Sequence, residues 1–365
     1  MELHLVGGFL GSGKTTAIIE AAHQVIKRGQ RVGVITNEQG KHLVDTGFLH
    51  AEGIPALEVT GGCICCHLDD FADRIEELTD KFNPDILFAE SVGSCTDLVA
   101  TVLKPLVDFR KNFTQPASLS VFSDSRLLLR FLRGEELPFS EGVIYIFEKQ
   151  IEETSLLIAN KIDLLSAADA ETLLQLAKKR YPDKTVRLQN SLDKTQVTEW
   201  LSLIQSQTLP VPQESLDLDY TVYAQGEGLF AWLDRDLAIE FFDFRQVNLI
   251  TELIAKIMYA ISSKARQVAH LKFLVTNGKT RMRLNITSLD DLESMGQTTI
   301  FEPGEIQSSI VELIINVMVE GDMPLLDTVL EDVIQAFAAE KGVEISEKGR
   351  FTRTPGFPKP TKRLI

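Results

Sequence analysis

From Leu3 to about Gln207, short runs of β-branched and other apolar residues alternate with longer segments in which apolar positions recur every three or four residues. The runs at Leu3–Val6, Arg31–Thr36, Ala56–Val59, Asp85–Ala89, Ser118–Phe122, Ser155–Ala159 and Thr185–Leu188 read as strands. Helical spacing occupies Lys14–Arg28, Asp69–Phe82, Cys95–Asp108, Asp124–Arg133, Ala168–Arg180 and Thr195–Ser206. This rhythm predicts an α/β fold, a mostly parallel sheet with helices on both faces. In such sheets ligands bind beyond the carboxyl ends of the strands, which directs attention to the residues just after each run.

The rhythm breaks at 209–216, where Pro210 and Pro212 mark a linker. Beyond it, Tyr220–Trp232 and Leu237–Phe244 alternate like antiparallel strands, and Asn248–Ser263 has the period of an amphipathic helix. Val268–Thr276 and Thr280–Ile286 flank Asn277-Gly278, a strong hairpin signal. Ile310–Val319 reads as a further strand and Pro324–Lys341 as a further helix. The expected organisation is therefore a first domain over 1–208, a smaller α+β domain over 217–345, and a tail over 346–365. From Lys348 onward that tail holds six basic residues, no acidic ones, and Pro355, Pro358 and Pro360. His270 is expected on a strand face.

A chain of 365 residues is long for one core, which agrees with two domains. A net charge of −15 argues against a general nucleic-acid or anionic-membrane binder, since either needs a positive surface. No stretch reaches the ~18 consecutive apolar residues of a membrane span. A strand begins at Leu3, so a signal peptide is not expected and the reading is cytoplasmic. The four cysteines, Cys63, Cys65, Cys66 and Cys95, fall within 33 residues. In a reducing compartment such clustering points to metal or redox chemistry rather than a disulfide framework.

The chemistry starts where the first strand ends. Gly8-x4-Gly13-Lys14-Thr15 is a phosphate loop in its required strand-to-helix setting. Gly8, Gly11 and Gly13, with Ser12 between them, let successive N–H groups curl around phosphate oxygens. Lys14 supplies charge to the β- and γ-phosphates and Thr15 a hydroxyl to Mg²⁺, while Thr16 continues a helix whose positive end faces the anion. The fold class is thus a P-loop NTPase. Glu90, at the tip of the fourth run, is placed as the carboxylate that holds Mg²⁺ through water. Gly93 would bring a backbone N–H to the γ-phosphate. After the second run, Thr36-Asn37-Glu38-Gln39-Gly40 is suited to sense that phosphate. Asp45 is the carboxylate expected there, acting through a metal-bound water or by orienting the attacking one.

Asn160-Lys161-Ile162-Asp163 follows the sixth run, about 145 residues after the loop. Asp163 can accept two hydrogen bonds from guanine N1–H and its exocyclic amine, which adenine cannot offer, so the expected nucleotide is GTP. Asn160 can bond the purine and brace the phosphate loop, Lys161 can cover the ring with its stem, and Ser191 is expected on the base edge. Gly61-Gly62-Cys63-Ile64-Cys65-Cys66-His67 places three thiols where they can converge on one soft cation, Zn²⁺ or Co²⁺. Cys95, His67 or a partner's side chain would complete the four ligands zinc prefers. No second phosphate-acceptor pocket is identifiable, which disfavours a kinase.

Together, Gly7–Thr16, Asn37-Glu38-x-Gly40, Gly61-Gly62-Cys63-Ile64-Cys65-Cys66, Glu90–Gly93 and Asn160–Asp163 resemble the CobW branch of the chaperone GTPases that also include HypB, UreG and the methylmalonyl-mutase chaperones. The resemblance covers about the first 205 residues. It implies GTP hydrolysis driving delivery of a metal ion or a corrinoid to a client metallo- or corrinoid enzyme, with the cysteines tied to the nucleotide switch. It leaves room for a homodimer, for a Zn²⁺ or Co²⁺ carrier in which GTP is a clamp, and for a corrinoid-enzyme chaperone that handles no free metal. Gln39, Lys41 and Val92 depart from the family pattern, where an aromatic, an acidic residue and a hydroxyl are usual. No arginine finger or catalytic glutamine is evident, so slow intrinsic turnover is expected.

Overall fold

The computed structural model describes residues 1–37, 44–109, 117–206, 208–209, 212, 214–243, 246–287 and 308–365. The expected phosphate-sensing segment from Glu38 to Gly40, the departures at Gln39 and Lys41, and part of the expected linker lie outside these residues. The chain forms two compact units. One holds the described residues of Met1–Gln39 and Asp45–Gly226 together with Pro358–Ile365, and the other holds those of Glu227–Phe357 together with Val44.

The first unit is built on seven parallel strands: β1 (Glu2–Gly8), β2 (Val32–Asn37), β3 (Ala56–Val59), β4 (Ile86–Glu90), β5 (Ala117–Asp124), β6 (Leu156–Asn160) and β7 (Thr185–Gln189). Their spatial order is β3-β2-β4-β1-β5-β6-β7. Central strands covered on both faces need unbroken apolar runs, and β2 is buried at every position. The helices are α1 (Lys14–Lys27), α2 (Val44–Ala51), α3 (Leu68–Phe82), α4 (Lys104–Phe109), α5 (Ser125–Arg133), α6 (Glu141–Glu153), α7 (Ala167–Arg180), α8 (Lys194–Gln205) and α9 (Tyr220–Glu227). Trp200 of α8 is fully buried, edge-on to Phe122 at 5.3 Å, and its indole N–H donates to Ser120. Parallel register sets Val6 beside Glu90 and Gly8 beside Phe122. The end of β1 therefore lies between the tips of β4 and β5, where strand order reverses and such sheets bind ligands.

Two helices, α2 and α6, are additional to those expected. The helix expected from Cys95 begins only at a π-helical turn, Val99–Leu103, that runs into α4. Asp97 has φ 65°, a left-handed conformation that a continuous helix cannot contain.

The second unit is a five-stranded antiparallel sheet in the order β10-β9-β11-β8-β12. Its strands are β8 (Phe230–Glu240), β9 (Gln267–Asn277), β10 (Thr280–Ile286), β11 (Ile310–Glu320) and β12 (Glu344–Arg353). Helices α10 (Leu249–Lys264) and α11 (Met323–Lys341) supply Ile254, Ile257, Leu330 and Phe337 to its core. The hairpin at Asn277-Gly278 forms, and His270 lies on β9 with its ring bonded to Asn316 at 2.6 Å.

Three expectations for this half are corrected. Tyr220–Glu227 is helical, not extended. Asp219 caps it by accepting from the Thr221 and Val222 N–H groups, and Tyr220 and Tyr223 sit one turn apart on a face that finds tertiary partners. Asp234-Arg235-Asp236 looks like a break between strands but lies inside β8. Fully buried Arg235 is paired with Asp327 and Glu347, and Asn316 donates to Asp234 at 2.7 Å. The expected tail from 346 is not a tail either. Its first part is β12, whose Lys348 pairs with Glu312 of β11 and whose Arg350 pairs with Asp327 and Glu331 of the helix Met323–Lys341, so the positive charge is matched by acidic neighbours. Accordingly the units do not divide at 208 and 217, and the last eight residues return to the first unit.

Candidate functional site

Gly8 has φ 122° and Gly13 φ 88°, and neither tolerates a side chain. A Cβ on Gly8 would lie 2.1 Å from the Phe122 carbonyl oxygen, and one on Gly13 would lie 2.3 Å from Asn160 Nδ2. The loop between them arches over the start of α1. Lys14 is buried and its ammonium donates to the carbonyls of Gly8 at 2.8 Å and Phe9 at 3.2 Å, which holds the charge over the loop. Ser12 Oγ is fully buried and has no hydrogen-bond partner among the described residues. Gly11 has φ 68°, and Thr16 stands half-buried on the first turn of α1.

Thr15 donates its hydroxyl to Glu90 Oε1 at 3.0 Å, so strand register brings the two expected Mg²⁺ ligands together. Two hard oxygen donors beside a phosphate loop fit Mg²⁺, which keeps several waters and takes few protein ligands. Asp45 is 3% exposed in the first turn of α2, and the adjacent Thr46 bonds Thr36 at 2.6 Å, tying that turn to the end of β2.

Asn160 is a hub. Its amide donates to the Ser12 carbonyl at 2.7 Å, and its oxygen accepts from the Ser191 N–H at 3.0 Å and hydroxyl at 2.8 Å. The Ser191 hydroxyl thus braces Asn160. Lys161 has φ 61° and pairs with Asp124 at 3.3 Å, and Asp163 is exposed in the single 3-10 turn Ile162–Leu164. Gly13→Ala is expected to lower nucleotide affinity at least tenfold and to destabilise the protein by about 1–3 kcal/mol through backbone strain and displacement of Asn160. Binding titration together with thermal melting checks this; wild-type values in both would refute it.

The Sγ atoms of Cys63, Cys65 and Cys66 lie within 4.8 Å of one another, with Cys63 and Cys65 paired as a disulfide. The expected trio is therefore assembled, but two of its sulfurs would have to be reduced before they could ligate a cation. Buried Cys95 lies 3.4 Å from Cys65, sulfur to sulfur, while exposed His67 rests its ring against Gly62. The loop is anchored by Asn37 at the end of β2. Its amide donates to the carbonyls of Val59 and Gly62, and its oxygen accepts from the Ile64 N–H. Gly93 joins the two halves of the site: a Cβ there would lie 2.6 Å from the Leu10 side chain of the phosphate loop. Helix α6 backs this segment. Its Gln150 donates to the carbonyls of Gly93 and Cys95, and its Glu153 accepts from the Val99 N–H at 2.6 Å. Neither Gln150 nor Glu153 carries a local sequence signal.

Parallel strands, a glycine arch with its lysine, a neighbouring strand-tip carboxylate and a bracing Asn-Lys-x-Asp define a P-loop nucleotide-binding protein with a thiol cluster beside it. The model of the CobW/HypB/UreG nucleotide-binding domain matches residues 2–187, and the chain belongs to that family. It is 32% identical over 186 residues to the zinc chaperone CobW of Sinorhizobium sp, covering 45% of this chain and 51% of that one. With the zinc chaperone YeiR of Escherichia coli (strain K12) it shares 31% over 179 residues, 47% of this chain and 49% of the other. With the urease accessory protein UreG of Aliarcobacter butzleri it shares 28% over 213 residues, 54% of this chain and 96% of the other. The chain spans about half the length of the zinc chaperones it matches. No helix among the described residues is long and apolar enough to cross a membrane.

Proposed function

We propose that this protein hydrolyses GTP and uses the nucleotide state to control the hold of its cysteine loop on a metal ion, zinc in the first instance, destined for a client enzyme. The observation that carries this reading is the continuity between Leu10, Gly93, Cys95 and Cys65. A displacement at the γ-phosphate end of the loop reaches the thiols through a single stretch of chain. The names of the relatives, zinc chaperones and urease accessory proteins, support the same reading. Three sulfurs within 4.8 Å suit a bare ion rather than a corrinoid macrocycle, which favours metal over corrinoid delivery. Co²⁺ would occupy the same thiolates, and a homodimer or client contact is the proposed source of faster turnover.

In this reading the loop N–H groups and Ser12 hold phosphate oxygens, and Lys14 carries positive charge to the β- and γ-phosphates. Thr15 and Glu90 would hold Mg²⁺, which supplies charge neutralisation at the transferring phosphoryl group. Asp45 orients water at the end of β2. Asp163 reads the guanine edge and Asn160 keeps the base and phosphate subsites at a fixed spacing.

With reduced protein, Zn²⁺ titration is expected to give one ion per chain, with affinity differing at least tenfold between GTP-analogue and GDP forms. Cys65→Ser is expected to weaken binding ~100-fold. Equal stoichiometry and affinity in wild type and variant would overturn the metal assignment, and a preference for ATP over GTP would overturn the base assignment.

A further inference from the structure

The residues from Pro358 to Ile365 pack with the nucleotide-binding unit, and several of their polar contacts fall on the two segments that carry thiols. Thr361 spends both of its donors there. Its N–H donates to the Cys65 carbonyl at 3.2 Å and its hydroxyl to the Cys66 carbonyl at 2.8 Å. Two residues on, Arg363 donates from Nε to Asp97 Oδ2 at 2.6 Å and from Nη2 to the Leu216 carbonyl at 2.7 Å. Its guanidinium carbon lies 5.6 Å from the centre of the Tyr220 ring, and the Tyr220 hydroxyl donates to the same Asp97 oxygen at 2.7 Å. Leu364 closes the set, with its N–H on the Ala100 carbonyl and its own carbonyl accepting from Ser215. Asp97 is fully buried and lies two residues past Cys95.

We propose that Thr361 and Arg363 are positioning residues for the thiol site, tying the Cys65-Cys66 turn to the Cys95–Asp97 turn. The inference rests on the reading above, that these thiols hold a cation. Cys65 and Cys95 belong to separate segments, thirty positions apart, yet their sulfurs meet at 3.4 Å. Short-range sequence does nothing to fix that distance. The bonds from Thr361 and Arg363 span both segments at once. Arg363 supplies the cation that a buried carboxylate requires, which anchors this terminal segment. The segment braces and does not cover. Thr361 engages carbonyl oxygens, not sulfur, and Cys63 and Cys66 remain half-buried. Groups that orient metal ligands from behind commonly set affinity by ten- to a hundredfold.

The test uses the full chain, reduced, with Co²⁺ as a probe whose thiolate charge-transfer bands report ligand geometry, and GTP-analogue binding as the check that the first unit is folded. Wild type should show the bands. Thr361→Val combined with Arg363→Gln should weaken Co²⁺ binding ~10–100-fold and shift the bands, with analogue affinity kept within about twofold. Arg363→Lys, which preserves a charge for Asp97, should recover part of the loss. Unchanged Co²⁺ affinity and spectrum in the double variant would overturn the positioning role, as would tighter binding, which would make the segment a cover. Wild type that binds no Co²⁺ through sulfur would instead remove the underlying metal assignment, and that result is seen before any variant is made.

Discussion

Asp163→Asn is expected to weaken GTP and GDP binding about 10³-fold and to confer binding of xanthine nucleotides. Guanine presents two donors on its Watson–Crick edge, N1–H and the exocyclic amine, and an ionised carboxylate accepts both. An amide supplies one acceptor and one donor, so one guanine donor meets another donor and loses its partner. Xanthine carries a carbonyl where guanine has the amine, and the same amide then matches it. The rest of the subsite is held independently, because Asn160 fixes Ser12 and Ser191 without help from the aspartate. Thermal stability should therefore change little. Competition of xanthosine and guanosine diphosphates against a fluorescent analogue measures the effect. GTP affinity within threefold of wild type would end the base assignment.

Glu153→Gln is expected to make the protein more stable at pH 8.5 by ~2–4 kcal/mol, with the gain shrinking toward zero near pH 5. Burial at the end of α6, against the Asp97 and Thr96 turn, pushes the Glu153 carboxyl up to about 8. The folded protein keeps a proton that the unfolded chain releases near 4.5, its ordinary value. Between those two pH values the folded state binds more protons, so the contribution of this group is complete below about 4.5 and is lost as pH rises through about 8. Glutamine is neutral throughout and still offers an oxygen to the Val99 N–H. Denaturant melts of both proteins from pH 5 to 8.5 test it. Parallel stability curves would mean that Glu153 ionises in the fold at no cost.

What could be read from the sequence follows how local each physical requirement is. The phosphate loop, the seven strands of the first sheet and the Asn277-Gly278 hairpin are written in adjacent residues, as positive-φ glycines or as apolar runs that must be covered on both faces. The elements that differ are those decided at a distance. The charges of Asp234-Arg235-Asp236 suggest a turn until Asn316, Asp327 and Glu347 arrive to satisfy them. Tyr220-Thr221-Val222-Tyr223 alternates as a strand would, yet its two phenols are held by Asp97 and Thr96 in a helix. The last residues read as a basic, proline-containing tail, and only the fold reveals that Arg363 answers a buried aspartate. At the site, residue types were legible and orientations were not. Ser191 and Asn160 were both recognisable, but only the packed loops show the hydroxyl spent on the asparagine.

Between Glu90, which accepts from Thr15 beside the phosphate loop, and Cys95, against the Cys65 sulfur, there are five peptide links, which span no more than about 17 Å even when drawn straight. No helix intervenes to take up slack, since the regular turns begin only at Val99. Gly93 lies within that stretch, where a Cβ would meet the Leu10 side chain at 2.6 Å, so no larger residue fits on this connection without displacing the phosphate loop.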